Sequence, residues 1–267
     1  MPIGILKSSV QSLYILMLHQ NQPLYSGTGF IVMSHFGPSL ITSRHLVTGR
    51  NLESKRILST SGLIPDRVKI AHNRQDELGE WIIKEELLYD DHRKPRWSEH
   101  PTLGHRANII ALPLNDVFDV EFIPYDLSNT GPELVIRLTD PINIIGFPFG
   151  LRGGISFPVW ASGMVASEPA IDHFDLPTFL VDCRSRPGQA GAAVVAHSNG
   201  DNVVESGGRH QEFSGPVTRL LGIYGGRVNK QSDLGIVWRV SAIKELTDAL
   251  GQTIQSQETD EMATTDL

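Results

Sequence analysis

The sequence predicts an all-β protein, a sandwich or barrel of short strands that ends in a single helix. Its 267 residues, 40% hydrophobic and 20% charged, suffice for one large domain or two smaller ones with a buried core. Twenty-five glycines and sixteen prolines divide the chain into short apolar runs. Before residue 241, no apolar stripe keeps a 3.6-residue period for three turns. Many short strands followed by one helix indicate sandwich or barrel architecture.

The predicted strands are apolar runs of up to six residues, rich in Val, Ile, Leu and Phe and separated by glycines and prolines. The runs are Leu13–Leu18, Gly29–Met33, Leu40–Thr42, Ile109–Leu112, Ile142–Ile145, Phe179–Val181, Ala192–Val195, Leu221–Tyr224 and Gly235–Val240. The predicted helix places Ile243, Leu246 and Leu250 on one face. Ser241 fits its N-cap and Gly251 its end.

Two polar segments rich in glycine or proline suggest where the chain divides. Segment 115–133 is predicted to be a linker, and segment 198–215 a long surface loop. The predicted organisation is an N-terminal unit over 1–125, a C-terminal unit over 126–251 and an acidic, flexible tail over 252–267.

Composition and charge exclude several classes of protein. The tail accounts for −4 of the formal charge of −7, which leaves −3 and no basic cluster for the rest, so nucleic acid is not an expected partner. The single cysteine, Cys183, cannot form an internal disulfide, which favours a reducing compartment. No apolar run approaches the ~18 residues that span a bilayer. The sequence therefore predicts a soluble, cytoplasmic protein without a membrane partner.

Two stretches carry residues suited to chemistry. Residues 26–32 read Ser-Gly-Thr-Gly-Phe-Ile-Val and precede a second strand that leads into Thr42-Ser43-Arg44-His45. Taken alone, His45 is one of ten histidines and is better interpreted as structural. Residues 187–191 read Pro-Gly-Gln-Ala-Gly, a tight loop whose successive N–H groups can stabilise an oxyanion. Taken alone, a plain turn before a core strand explains this loop equally well.

Together the two stretches resemble the trypsin-like (chymotrypsin-fold) serine peptidases. In that family a Gly-Thr-Gly-Phe strand precedes the histidine of a Thr-X-X-His motif, and the nucleophile stands in Gly-X-Ser-Gly before a core strand. His45 and the 188–191 loop fall at these positions, in the same order along the chain. The resemblance covers about residues 10–250 and is closest to intracellular bacterial members. It implies two six-stranded antiparallel β-barrels with a cleft between them, followed by a C-terminal helix.

The sequence departs from the family at two of the three triad positions. Ala190 stands at the nucleophile position, where a methyl group cannot attack a carbonyl. Either the serine was deliberately replaced, which we prefer because the rest of the loop is retained, or the chain is a natural pseudoenzyme. Asn108 stands at the position of the triad aspartate, where it can orient His45 but carries no charge. The candidates to replace it are Asp90, Asp91, Asp116 and Asp119.

The resemblance implies a serine endopeptidase that cleaves protein or peptide substrates without a cofactor. His45 would be the general base, and the N–H groups of Gly188 and Ala190 would form the oxyanion hole. The alternative is a natural pseudopeptidase, a peptide-binding or protein-binding module of a larger assembly. Neither the histidines nor Cys183 show metal-ligand spacing, so no metal is expected.

Counting back six positions from the nucleophile places Arg184 at the base of the pocket for the side chain that precedes the cut. Tyr224, Gly225 and Gly226 would form the wall of this pocket. A guanidinium at its base favours acidic side chains over basic ones. The alternative is that Arg184 points into solvent. Gln189 replaces the aspartate that receives the freed N-terminus in secreted members, so a regulatory protein activator is expected instead.

Overall fold

The computed structural model describes residues 4–128, 134–154, 156–199, 202–206, 209–213, 215–229 and 231–250. Its N-terminal half is an antiparallel sheet of eight strands, in the order β5-β4-β1-β2-β3-β7-β6, with β8 paired to β4. The elements of this half are α1 (Lys7–Gln11), β1 (Ser12–His19), β2 (Gln22–Ser34), β3 (Gly37–Thr42), α2 (Arg44–Thr48), β4 (Arg67–Arg74), β5 (Glu77–Leu87), β6 (Ser98–Glu99), β7 (Ile110–Pro113) and β8 (Val120–Glu121).

The C-terminal half is a closed antiparallel barrel of six strands, in the order β10-β11-β16-β15-β12-β9. A separate hairpin, β13–β14, lies between β12 and β15 in the sequence. The elements are β9 (Pro141–Gly146), a 3₁₀ turn (Pro148–Gly150), β10 (Val159–Val165), β11 (Thr178–Cys183), β12 (Ala193–Ser198), β13 (Asn202–Ser206), β14 (Arg209–Phe213), β15 (Val217–Arg227) and β16 (Leu234–Arg239). A final helix, α3, covers 240–250.

The predicted all-β fold class is confirmed, and one of the cores joins the two halves. Phe30 of β2 belongs to the same buried cluster as Ile145 of β9 and Ile223 of β15. Helix α3 adds Ile243 and Leu246 to this cluster, so it packs across the junction. Each half also has a core of its own. The halves are therefore held together by continuous apolar packing, which fixes the segments that meet between them.

Most of the strands that were not predicted from the sequence contain charged residues, although β10, which contains none, was missed as well. Every predicted run lies largely within a strand, but β4 and β5 were not predicted because charged residues interrupt their alternation. On β5, Ile83 and Leu87 are exposed while Glu86 is buried and paired with Arg96, which inverts the usual pattern. The alternation of polar and apolar residues does not predict a strand that buries an ion pair.

Four of the predicted boundaries need correction or lie outside the described residues. Segment 198–215 contains the hairpin β13–β14 rather than a continuous loop, and segment 115–133 contains β8. In α3 the apolar face is confirmed, with Ile243, Leu246 and Leu250 buried. Ser241 is not its N-cap, because the helix already includes residue 240. The tail over 252–267 lies outside the described residues.

No helix among the described residues has the length and hydropathy needed to cross a bilayer.

Candidate active site

His45 is held on a short helix that follows directly from a core strand. Strand β3 ends at Thr42, and Ser43 is extended (φ −75°, ψ 134°) before α2 begins. Leu46 and Val47 anchor the helix in the core, and the Tyr25 hydroxyl donates to the Leu46 carbonyl at 2.8 Å. The turn at Gly49 (φ +66°) ends the helix. His45 is thereby fixed in a half-buried position at the edge of the first half.

The buried Asn108 side chain holds the His45 ring. Its Oδ1 lies 3.0 Å from His45 Nδ1 and accepts a bond from the His45 backbone N–H at 3.1 Å. Its Nδ2 donates to the carbonyl of Gly225 at 2.8 Å. Because a carbonyl can only accept, the amide nitrogen must face Gly225 and the amide oxygen must face His45. Nδ1 of His45 then carries the proton, and Nε2 is left as the basic nitrogen.

Three of the four aspartates named as substitutes for Asn108 are engaged elsewhere. Asp116 pairs with Lys84 at 2.8 Å, and Asp119 pairs with Arg74 at 3.2 Å. Asp90 accepts two backbone N–H bonds within its own turn. Among the described residues, no carboxylate is hydrogen-bonded to His45.

Burial governs the basicity of His45. Loss of solvent lowers the pKa of its imidazole below the ordinary 6.5, and the hydrogen bond that His45 donates to Asn108 opposes that decrease. We expect NMR titration of the His45 ring in this chain to give a pKa below 6.5. The neutral, proton-accepting form would then persist to lower pH than in a free histidine. A measured pKa above 6.5 would contradict this account of the site.

The loop over 186–191 is closed by its own glutamine. Arg186 N donates to Gln189 Oε1 at 2.7 Å, and Gln189 N donates to the Arg186 carbonyl at 3.2 Å. Within the described chain, the backbone N–H groups of Gly188 and Ala190 have no hydrogen-bond partner. The loop therefore offers two unpaired backbone donors two residues apart. Because Gln189 orders this turn without a further group, the loop gives no support to the predicted activator.

Thr28 of β2 clamps this loop against the N-terminal half. Its hydroxyl donates to the Gly188 carbonyl at 2.8 Å and accepts from Phe147 N at 3.1 Å. Its backbone N–H donates to the Ala190 carbonyl at 3.0 Å. This clamp was not predicted from the sequence, where Thr28 had no role beyond the family motif. The one signal for it is a threonine between two glycines, directly before the apolar run of β2.

Two further contacts bring the loop to the base of α2. Gly191 N donates to the Tyr224 carbonyl at 2.9 Å, and Ser43 Oγ donates to the same oxygen at 3.5 Å. A Cβ on Gly191 would lie 2.0 Å from the Thr28 carbonyl oxygen, so only glycine fits there. The segment that precedes His45 and the segment that follows Ala190 thus share one acceptor.

Of the four residues predicted to form the substrate pocket, Tyr224 lies in the core, whereas Gly225, Gly226 and Arg184 do not belong to it. The Tyr224 ring is 2% exposed and lies in the core of the closed barrel, where its hydroxyl bonds Ser185. Its side chain supports the barrel rather than lining a pocket, which corrects that prediction. Gly225 packs against the ring of Trp238, and nothing lies within 4 Å of a Cβ on Gly226. Arg184 is exposed, so its role at a pocket base stays a prediction.

Cys183 is unsuited to act as a nucleophile in place of the missing serine. Burial, with smaller contributions from Asp182 and Asp233, raises the pKa of its thiol to about 11. The thiolate is therefore scarce at neutral pH. Within the described residues, no three His, Cys, Asp or Glu side chains converge as a metal site would require.

Comparison with solved structures identifies the fold. The chain is similar to the serine endoprotease from Yersinia pestis, with 14% identity and a TM-score of 0.52 over 93% of this chain and 69% of that one. It is also similar to Rv3671c from M. tuberculosis H37Rv, the inactive form of a serine-to-alanine mutant. There the identity is 14% and the TM-score 0.50, over 92% and 89% of the two chains. The chain has the fold of the trypsin-like serine proteases.

No family model and no curated sequence matches this chain. At 14% identity the structural likeness shows the fold alone. The chemistry must be argued from the residues in place.

Proposed function

We propose that this chain is a serine endopeptidase scaffold for protein substrates, with Ala190 at the position of the nucleophile. The observation that carries the proposal is the Gly225–Asn108–His45 chain of hydrogen bonds, which fixes one tautomer of the histidine. A purely structural histidine has no need of a buried amide locked in this orientation. The two unpaired N–H groups of the neighbouring loop add the second element that acyl transfer requires.

With serine at position 190, the steps follow from the arrangement. His45 Nε2 would take the hydroxyl proton, and the serine oxygen would attack the peptide carbonyl. The N–H groups of Gly188 and residue 190 would stabilise the oxyanion, and His45 would return the proton to the leaving amine. Because alanine keeps its backbone N–H, the present chain would keep both donors of the proposed oxyanion hole.

A second candidate function is a binding module without hydrolysis. Two observations favour it: the nucleophile is alanine, and the group behind His45 is a neutral amide rather than a carboxylate. Such a protein would bind a polypeptide between the two halves and release it unchanged. The codon at position 190 in the native gene distinguishes a replaced serine from a natural alanine.

The Ala190→Ser variant tests the proposal. We expect it to react covalently with a fluorophosphonate probe, whereas the present chain stays unlabelled because it lacks the attacking oxygen. Labelling is read by in-gel fluorescence and located by mass spectrometry at residue 190.

The control is the double variant Ala190→Ser/His45→Ala, which keeps the serine and removes the base. Labelling should disappear in the double variant if His45 activates the serine. A folded Ala190→Ser protein that neither labels nor cleaves a peptide library would favour the binding module over the peptidase.

A further inference from the structure

A basic cleft lies directly beside the candidate active site. Its volume is about 450 Å³, within the ~300–1,000 Å³ of small-ligand pockets. The residues that define the cleft here are Arg44, Thr48, Arg50, Lys55, Tyr89 and His105. None of the residues that line it is acidic.

The cleft and the candidate active site share two segments. Arg44 immediately precedes His45 on α2, and Thr48, one turn later, bonds back to the Arg44 carbonyl at 3.1 Å. His105 lies three residues before Asn108 on the strand-entry segment. The cleft residues Arg44 and His105 thus lie within three positions of His45 and Asn108 along the chain.

The charge of the cleft is not neutralised from within. Arg44 pairs with Glu99 at 2.8 Å, but Arg50 and Lys55 form no ion pair with any described residue. Both side chains are exposed, and so is His105, which also lines the cleft. Two cations without counter-ions around a concave surface attract carboxylates.

The rim is preformed by its own hydrogen bonds. Asn51 Oδ1 accepts from the backbone N–H groups of Glu53 and Ser54 at 3.1 and 2.9 Å. Arg50 Nη1 donates to the Lys55 carbonyl at 3.2 Å, which ties the two basic residues into one turn. A binding surface that is already ordered loses less conformational entropy when its ligand arrives.

We propose that this basic cleft binds acidic side chains of a polypeptide that extends past His45. The inference deepens the proposed function, since it gives that site a preference for substrates with acidic residues beside the contact with His45. It concerns a different surface from the Arg184 pocket and does not depend on it. The occupant is a polypeptide supplied in trans.

Binding can be measured without hydrolysis, because the present chain already carries Ala190. The probe is fluorescein-labelled hexaglutamate, followed by fluorescence anisotropy, with labelled hexaglutamine for comparison. We expect hexaglutamate to bind and hexaglutamine not to, with an affinity that falls as salt rises. The double variant Arg50→Gln/Lys55→Gln should weaken binding about tenfold or more, since each cation supplies a charge-assisted contact.

The matched control removes the same net charge elsewhere. Lys7 and Lys244 are exposed and lie outside the cleft, so Lys7→Gln/Lys244→Gln should leave the affinity within about twofold. Equal weakening by both double variants would show nonspecific attraction and overturn the proposal. Absence of hexaglutamate binding would overturn it as well.

A chain truncated after Gly251 separates the ligand in trans from the chain's own acidic tail. Unchanged affinity on truncation supports a ligand in trans, whereas an increase of several fold would assign the cleft to the tail and overturn the proposal. Failure of the proposed function is seen separately. If Ala190→Ser is inert while hexaglutamate binds through Arg50 and Lys55, the binding cleft is supported and the peptidase function is contradicted.

Discussion

In the Ala190→Ser chain, replacing Asn108 by leucine is expected to lower kcat by ~10³–10⁴. Leucine has a similar volume but offers no acceptor for His45 Nδ1–H. The imidazole then loses both its fixed tautomer and its orientation. The lone pair of Nε2 is no longer held toward the serine, where it would accept the hydroxyl proton. Initial rates on a cleaved peptide give kcat, and circular dichroism confirms that the variant is folded. A kcat within tenfold of the parent would show that Asn108 does not position His45.

The Asn108→Asp variant completes this test. Aspartate keeps an acceptor for His45 and adds the charge that stabilises an imidazolium, so kcat should rise. In triad enzymes, replacing the aspartate by asparagine lowers kcat by ~10⁴ because the histidine is then held in the wrong tautomer. Asn108 already holds His45 in the correct tautomer, so the gain in kcat should stay below that factor. The second carboxylate oxygen would face the Gly225 carbonyl, acceptor against acceptor. We therefore expect a lower melting temperature alongside the higher rate.

Gly188→Ala is expected to destabilise the protein by ~2–5 kcal/mol, from a positive φ that costs ~1–2 kcal/mol and a backbone overlap that costs ~1–3 kcal/mol. The φ of Gly188 is +96°, and a Cβ there would lie 2.3 Å from the carbonyl oxygen of Phe147. Neither atom can move without displacing the loop or the 3₁₀ turn. At ~2–4 °C for each kcal/mol, the melting temperature should fall by ~4–20 °C.

Gly37→Ala is the matched control, because it separates the two costs. Gly37 has nearly the same φ, +99°, but nothing lies within 4 Å of a Cβ there. Its replacement should cost only the ~1–2 kcal/mol of the backbone conformation. Equal melting temperatures for the two variants would mean that the loop yields freely at Gly188. The oxyanion hole would then not be held as rigidly as the contacts indicate.

The fold class and most strands could be predicted because hydrophobic periodicity reports burial directly. Leu13–Leu18 and Ile142–Ile145 are apolar because they are buried. β4 and β5 were not predicted because buried polar groups interrupt the alternation of polar and apolar residues. Glu86 reads as a surface residue, yet it is 3% exposed, pairs with Arg96 and accepts from the backbone of Asn115. No rule based on the chain's own periodicity reveals a partner so far along the sequence.

The site residues could be predicted in type but not in arrangement. Sequence position suggested Asn108, yet nothing in the sequence showed that Gly225 would fix its amide. That bond joins residues 117 positions apart. Tyr224 was assigned to a pocket because residues 221–227 resemble a strand that bounds the substrate cleft in the family. A strand alternates its faces, and the Tyr224 ring lies in the barrel core. Its direction depended on a register that the sequence alone does not give.

The clamp at Thr28 makes the candidate active site one of the last parts of the chain to form during synthesis. Its hydroxyl bonds the carbonyl of a residue 160 positions later, and the apolar layer beneath is completed only by helix α3. A nascent chain that has already emerged with β2 and His45 therefore still lacks the loop, its donors and the helix that packs across the junction. Contacts of such long range form late and slowly. In the proposed peptidase, the site would therefore stay incomplete during translation until the 186–191 loop and α3 have emerged from the ribosome.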